Sequence, residues 1–372
     1  MAQTVDDLGS DRSLGSNRSL GSDRSLVLDR PDDWHVHFRD GDVLADVVTA
    51  TARQFGRALV MPNLKPPVTS ADQALAYRAR ILSSLPSDST FEPWMTLYLT
   101  DRTSAEMVRD AKRSGCVLAF KLYPAGATTN SDSGVTDLRN CRAALAEMER
   151  QGVVLCLHGE VTGPHDDIFD REALFISRVL QPLRQDFPAL RLVFEHITTE
   201  EAASYVAQAD GPICATITPQ HLLFNRNRMF QGGLRPHFYC LPVLKREHHR
   251  LALIKAATGG SPRFFLGTDT APHPRHLKEA DCGCAGCFSA LTALELYAQV
   301  FDQQGALHRL EAFASHHGAD FYGLPRARSK VLLRRRPQRV PQACRFGSEE
   351  VVPLLAGETI EWTLEEPVAA QD

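Results

Sequence analysis

The chain has 372 residues, 43% hydrophobic and 23% charged, with 41 basic against 45 acidic side chains and a net charge of -4. That balance suits a soluble globular enzyme and offers no strongly basic surface for nucleic acid or an anionic membrane. No apolar run reaches the roughly 20 residues needed to cross a bilayer. The N-terminus lacks a signal-peptide core, and the nine cysteines, several of them single in apolar runs, read as reduced thiols of a cytoplasmic protein.

Gly9–Leu14, Gly15–Leu20 and Gly21–Leu26 repeat one Gly-Ser-Asp/Asn-Arg-Ser-Leu unit. The unit carries too little apolar surface to offset its ordering entropy. Residues 1–26 are therefore expected to be a disordered tail, 27–345 the folded domain, and 346–372 an extension packing on the domain or trailing from it. Eight apolar or β-branched runs follow the tail: Leu26–His37, Ala58–Met61, Trp94–Leu99, Val117–Leu122, Val153–His158, Leu190–His196, Ile213–Thr218 and Phe264–Asp269. Helical spacing of apolar residues fills Val43–Phe55, Ser70–Leu85, Ser104–Ser114, Leu138–Arg150, Arg171–Leu183 and Glu200–Gln208. Strands alternating with helices predict an α/β fold with a parallel sheet, and eight such units over roughly 250 residues predict a (β/α)8 barrel of the TIM type. A doubly wound open sheet is the rival, but no GxGxxG follows the first strand.

His37, Asn63, Lys121, His158, His196 and Asp269 fall at or just after the C-terminal ends of these runs. In a barrel that end carries the active site, so residues far apart in sequence would converge there. The richest stretch is His35-Val-His-Phe-Arg39. Read as a strand, it puts His35, His37 and Arg39 on one face at intervals of roughly 7 Å. Two imidazoles so placed can share a metal, and the guanidinium can grip an anionic substrate, although Arg39 could instead pair with Asp40 or Asp42. Imidazole and carboxylate suit zinc and similar divalent ions. Lys121 sits in an apolar run where a charged amine is costly. It could snorkel to the barrel mouth. Alternatively, desolvation could keep the amine neutral and nucleophilic, able to add carbon dioxide and become a bridging carbamate. Two cations bridged by hydroxide would supply a nucleophile at neutral pH, with Asp269 as general base, for hydrolysis of an amide-like C–N bond or its reverse.

These stretches, with Met61-Pro-Asn63, Lys121–Asn130, Thr216–His221, Tyr239–Lys245, Gly267–His273 and Cys282–Cys287, resemble the amidohydrolase superfamily and, within it, the short bacterial-type dihydroorotases, from about residue 27 to about 345. The resemblance implies reversible cyclisation of N-carbamoyl-L-aspartate to L-dihydroorotate and water, a step of pyrimidine synthesis. It also implies two divalent ions, with zinc expected and cobalt or manganese equally compatible. His35, His37 and Asp269 would hold one ion and His158 and His196 the other. Lys121, as N6-carboxylysine formed with carbon dioxide, would bridge them. Arg39, Asn63 and His273 would bind the substrate carboxylate, His37 and His158 would also border the substrate, and backbone groups of Leu241 and Ala285 would read its amide edge. A homodimer is implied as well.

The Gly-, Thr- and Ser-rich segment Ala125–Val135 reads as a mobile loop. The resemblance makes it a lid whose Thr128 and Thr129 touch the substrate, while composition alone would accept a passive loop. His273 could also be a helix-start histidine. Cys282, Cys284 and Cys287 are close in sequence, but without a clear fourth ligand they do not make a metal cluster. His248 and His249 fall in a charged run expected on a solvated helix face. Three other readings remain: a hydrolase of hydantoins or related neutral rings, an inactive paralogue serving as a binding partner, and a Schiff-base barrel using Lys121 as a free amine.

Overall fold

A computed structural model describes residues 24–365; the expected tail up to residue 23, and residues 366–372, lie outside the described residues. Eight strands, β2 (Asp32–Val36), β3 (Arg57–Val60), β4 (Glu92–Tyr98), β5 (Val117–Leu122), β6 (Val154–Leu157), β7 (Leu192–Phe194), β8 (Ile213–Ile217) and β9 (Phe264–Leu266), stand side by side in chain order. Each pairs in parallel with the next. The ring closes through a Val36–Thr270 bridge, with Asp269 N–H donating to His35 O and His37 N–H to Thr270 O, both at 2.9 Å. The chain is the expected (β/α)8 barrel.

The run Leu26–His37 is two strands rather than one. β1 (Ser25–Asp29) pairs antiparallel with β10 (Lys330–Arg334), which also pairs with β15 (Thr363–Glu365), in a sheet outside the barrel. Pro31 separates β1 from β2 and, lacking an N–H, cannot continue a ladder. Ser25 and Leu26, assigned to the tail, thus belong to the fold. The boundary after residue 345 also moves, because it cuts the hairpin of β12 (Cys344–Phe346) and β13 (Glu349–Val351). Beyond it, β14 (Thr359–Ile360) returns to β11 (Gln338–Arg339), and Trp362 is fully buried. Deleting residues 1–23 should leave kcat/KM within about twofold, since the Gly-Ser-Asp/Asn-Arg-Ser-Leu repeat has too little apolar surface to contribute to a packed core. Extending the deletion through Leu28, which is buried opposite Val331, should cost about 1.5–3 kcal/mol for that side chain alone. Urea unfolding of the two proteins would check both.

Helices on the outside begin where side chains satisfy the free N–H groups. α2 (Ala71–Ser83) opens with a capping box between Ser70 and Gln73, α3 (Ala105–Arg113) with Ser104, and α7 (Glu200–Gln208) with Thr199. His249, on α9 (Glu247–Thr258), is buried rather than solvated. Its Nδ1 accepts from Glu200 N–H at 3.1 Å, bracing the start of α7. Inside the barrel, Leu59, Ala119, Val154, Cys156, Val193 and Phe265 fill the lower layers. Trp34, stacked on Tyr322 at 4.5 Å, plugs the floor. A Cβ on Gly318 would lie 2.0 Å from the Trp34 indole nitrogen. Gly318→Ala should therefore destabilise the fold by about 1–3 kcal/mol through overpacking, seen as a lower denaturant midpoint.

Candidate active site

The residues expected at the strand ends come together at the C-terminal mouth. His35 and Lys121 lie within β2 and β5; His37, Asn63, His158, His196 and Asp269 follow the ends of β2, β3, β6, β7 and β9. All are buried. The four imidazoles form a chain, with ring centroids 5.2 Å apart from His37 to His35, 4.9 Å from His35 to His196, and 4.9 Å from His196 to His158. Asp269 Oδ1 lies 3.4 Å from His35 Nε2 and 3.2 Å from His37 Nε2.

Strand alternation explains His35 and His37 but not Arg39. β2 ends at Val36, and Arg39 is turned inward by a left-handed backbone, φ 64°. His196 (φ 41°) and Asp269 (φ 47°) share that region, which costs a non-glycine residue about 1–3 kcal/mol. The surrounding fold holds them there. Thr216 Oγ1 accepts from His196 N–H at 2.7 Å, and the buried Glu172 carboxylate takes hydrogen bonds from the backbone N–H and hydroxyl groups of Thr198 and Thr199 just beyond. Asp33 ties β2 to the β9 loop by accepting from Thr268 Oγ1 at 2.6 Å, Thr268 N–H at 2.9 Å and His35 N–H at 3.2 Å. Burial pushes its carboxyl up to about 7.

Three imidazoles have one ring nitrogen held from behind. His35 Nδ1 lies 2.8 Å from Glu195 Oε2, His37 Nδ1 2.7 Å from Asn63 Oδ1, and His158 Nε2 2.8 Å from Glu160 Oε2. Such partners fix the ring and leave its other nitrogen for a cation. Sequence reasoning missed Glu195 and Glu160. Each lies one or two residues from a ligand-type histidine in an apolar run, and that proximity was the available signal.

Lys121 is fully buried, its Nζ has no hydrogen-bond partner, and it stands 5.2 Å from the centre of the Tyr123 ring. Desolvation lowers its pKa, against the pull of Glu195 and Asp269. It therefore does not snorkel. His35 Nε2 and His196 Nδ1 are likewise buried without hydrogen-bond partners, and burial holds both imidazoles well below their usual range. Burial raises the Asp269 carboxyl, but the His37 hydrogen bond and neighbouring positive groups outweigh it and leave the pKa low. Imidazole nitrogens short of partners, beside a carboxylate and an unpaired amine, fit divalent cations. His35, His37 and Asp269 alone offer three ligand atoms within 4.8 Å of one another.

Arg39 Nε donates to Pro272 O at 2.9 Å, and its Nη2 lies 3.0 Å from His273 Nε2. Asp40 pairs with Arg80 instead, at 2.7 Å. His273 precedes α10 (Arg275–Lys278) by two residues and does not start it. Burial, then the Arg39 and Lys278 charges, hold it down to about 2, so the ring is neutral. Leu241 and Ala285 line the same cavity, as do Thr128 and Thr129. The 125–135 loop is folded down over the site. Asn63 Nδ2 donates to Thr129 O at 3.2 Å, Asn130 Nδ2 to Asn63 O at 3.0 Å, and Thr129 Oγ1 to Ala285 O at 3.4 Å. The cavity beneath has about 20 Å³, room for little more than one water. A roomier cleft of about 430 Å³ opens on the outside of the barrel, but no imidazole lines it. Among the described residues, no cysteine joins a group of three or more metal-type ligands.

A (β/α)8 barrel whose mouth gathers four imidazoles, a carboxylate and an unpaired amine is built as a metal-dependent amide hydrolase. The amidohydrolase family model matches residues 32–327. A dihydroorotase of Ralstonia pickettii is 63% identical over 333 residues, covering 90% of this chain and 97% of that protein. The crystal structure of the Campylobacter jejuni dihydroorotase superposes with a TM-score of 0.85 at 32% identity, over 94% of this chain and all of the other. The Saccharomyces cerevisiae dihydroorotase in complex with 5-fluoroorotic acid also gives 0.85, at 30% identity over 92% and 98% of the two chains. The chain belongs to the amidohydrolase family and, within it, to the dihydroorotases.

Proposed function

We propose that this chain interconverts N-carbamoyl-L-aspartate and L-dihydroorotate, acting in the cytoplasm as a homodimer with two zinc ions per subunit. His35, His37 and Asp269 would hold one ion and His158 and His196 the other, with Lys121, as a carbamate, a further ligand. The neutral amine adds carbon dioxide and releases one proton. Bound there, the ions would supply Lewis acidity. Asp269 accepts the proton of the attacking water and returns it to the ring nitrogen as the C–N bond breaks. Arg39, with Asn63 and the neutral His273, holds the carboxylate that does not react, His37 and His158 border the ring, and the Leu241 and Ala285 backbone reads the amide edge. Closing Thr128 and Thr129 over the ring excludes bulk water.

The observation that carries this reading is the fully buried, unpartnered Lys121 amine beside four imidazoles and Asp269. A Schiff-base enzyme would need that amine but would leave the imidazoles without a role. The Arg39–His273 pair favours an acidic substrate over a neutral hydantoin, and the yeast relative was crystallised with an acidic pyrimidine. Zinc-loaded protein should consume dihydroorotate in an ultraviolet assay, lose that activity with a chelator and regain it with zinc. No turnover by metal-replete protein refutes the proposal. Arg39→Met should raise KM for carbamoyl aspartate about 10- to 100-fold, the loss of charge-assisted hydrogen bonds to one carboxylate. An unchanged KM would move the carboxylate site elsewhere.

A further inference from the structure

Lys278 was not singled out by its sequence context, yet it is only 3% exposed. Its ammonium donates to three backbone carbonyls, Tyr239 O at 2.8 Å, Cys284 O at 2.8 Å and Gly286 O at 2.7 Å. Three donors meet three acceptors, so the group is satisfied. No carboxylate among the described residues pairs with it: its neighbour Glu279 is bound to His237 at 2.9 Å. Burying an ammonium without a carboxylate partner is costly even when its three donors are satisfied.

The three carbonyls belong to the two loops that line the substrate cavity. Cys284 and Gly286 flank Ala285, and Tyr239 precedes Leu241 by two residues. Gly286 N–H donates to Tyr239 O at 3.0 Å, joining the loops behind the cavity. In a trans peptide the C=O and N–H point in opposite directions. Turning Cys284 O into the ammonium therefore turns Ala285 N–H the other way. Ala285 O points to the site side, toward Thr129 Oγ1 at 3.4 Å and His273 Nε2 at 3.1 Å. Gly286 adopts φ 144°, and a Cβ there would lie 2.3 Å from Ala271 O, so the loop has no slack to find this orientation unaided. The ammonium also lies within electrostatic reach of Arg39 and His273.

We propose that Lys278 is a specificity-determining positioning residue: its ammonium aims the Ala285 peptide group at the substrate, anchors the Tyr239 carbonyl two residues before Leu241, and adds a second buried positive charge behind the Arg39 carboxylate site. This rests on the proposed function, because it takes dihydroorotate as the anion being read. Lys278 touches neither the reacting atoms nor any proposed metal ligand, so its removal should act on substrate binding and not on the chemical step.

Lys278→Met removes the charge and all three donors at similar volume. Relative to wild type, metal content and circular dichroism should be unchanged, KM for dihydroorotate should rise about 30-fold and kcat should fall less than about fivefold, the pattern of lost uniform binding. In Lys278→Ala, n-propylammonium should occupy the vacated space and bring KM back at least about tenfold. A metal-replete Lys278→Met with KM near the wild-type value, or a loss confined to kcat, overturns the inference. If Lys278→Met does not fold, Lys278→Ala is purified with n-propylammonium and KM is followed as the amine is withdrawn; a KM that stays level overturns it equally. Absence of turnover in the wild type would refute the proposed function itself, so the two failures are separable.

Discussion

Asp269→Asn should yield a folded protein with kcat lowered about 10²- to 10⁴-fold, the range lost when a positioned proton-transfer group is removed. The substitution keeps the side chain's shape and so preserves its packing under the 125–135 loop. Among the described residues, it removes the one carboxylate that reaches both His35 and His37, at 3.4 and 3.2 Å. An amide can accept no proton at neutral pH and is a poorer ligand than an ionised carboxylate. The second ion, assigned to His158 and His196, should stay bound, so metal analysis should show partial occupancy while the dihydroorotate assay reads near background. Retained turnover in Asp269→Asn would remove Asp269 as the proton carrier. Retained turnover with one ion missing would also show that the His35–His37 side is dispensable.

Lys121→Met should separate stability from activity. A polar nitrogen with no partner, fully buried, costs about 1–3 kcal/mol. Replacing it by a thioether of similar length should therefore leave the metal-free protein as stable as wild type or more so. Activity should move the opposite way. Without an amine there is nothing for carbon dioxide to add to, and the proposed carbamate ligand cannot form. We expect both ions to bind more weakly and kcat to drop at least about 10³-fold, well beyond the usual effect of losing an outer metal partner. Lys121→Ala leaves space that acetate or propionate could enter, and partial recovery with those acids at saturating zinc would support the carbamate. A Lys121→Met enzyme that keeps its ions and its rate would dispose of the carbamate ligand. A metal-free variant markedly less stable than wild type would mean the amine has a structural partner after all.

Much of this site was legible because its side chains follow simple periodicities. His35 and His37 are two apart on a strand, and Lys121 stands in an otherwise apolar strand. His158, His196 and Asp269 each end a β-branched or aromatic run. A parallel barrel converts those one-dimensional positions into proximity, since every strand delivers its C-terminal end to the same rim. What stayed hidden depends on contacts between distant segments. Pro31 marks where Leu26–His37 divides, but nothing local tells where its first half pairs, because that partner is about 300 residues away. Arg39 reaches the site through a left-handed turn that strand alternation does not foresee. Glu160 and Glu195 looked like ordinary acids until their histidine partners were placed. The composition of residues 125–135 signalled a loop, yet its docking on Asn63 and Ala285 is a tertiary fact.

The outer sheet has a temporal consequence. β1 has its pairing partner, β10, roughly 300 residues downstream; at about 5–20 residues per second of synthesis that partner emerges some 15–60 s later. The amino-terminal strand must wait on the ribosome with its backbone edge open, and the barrel seam between β2 and β9 can seal only when most of the polypeptide has been made. Nascent chains halted before β10 should remain open to added protease near Leu28, and those released after β15 should be closed to it.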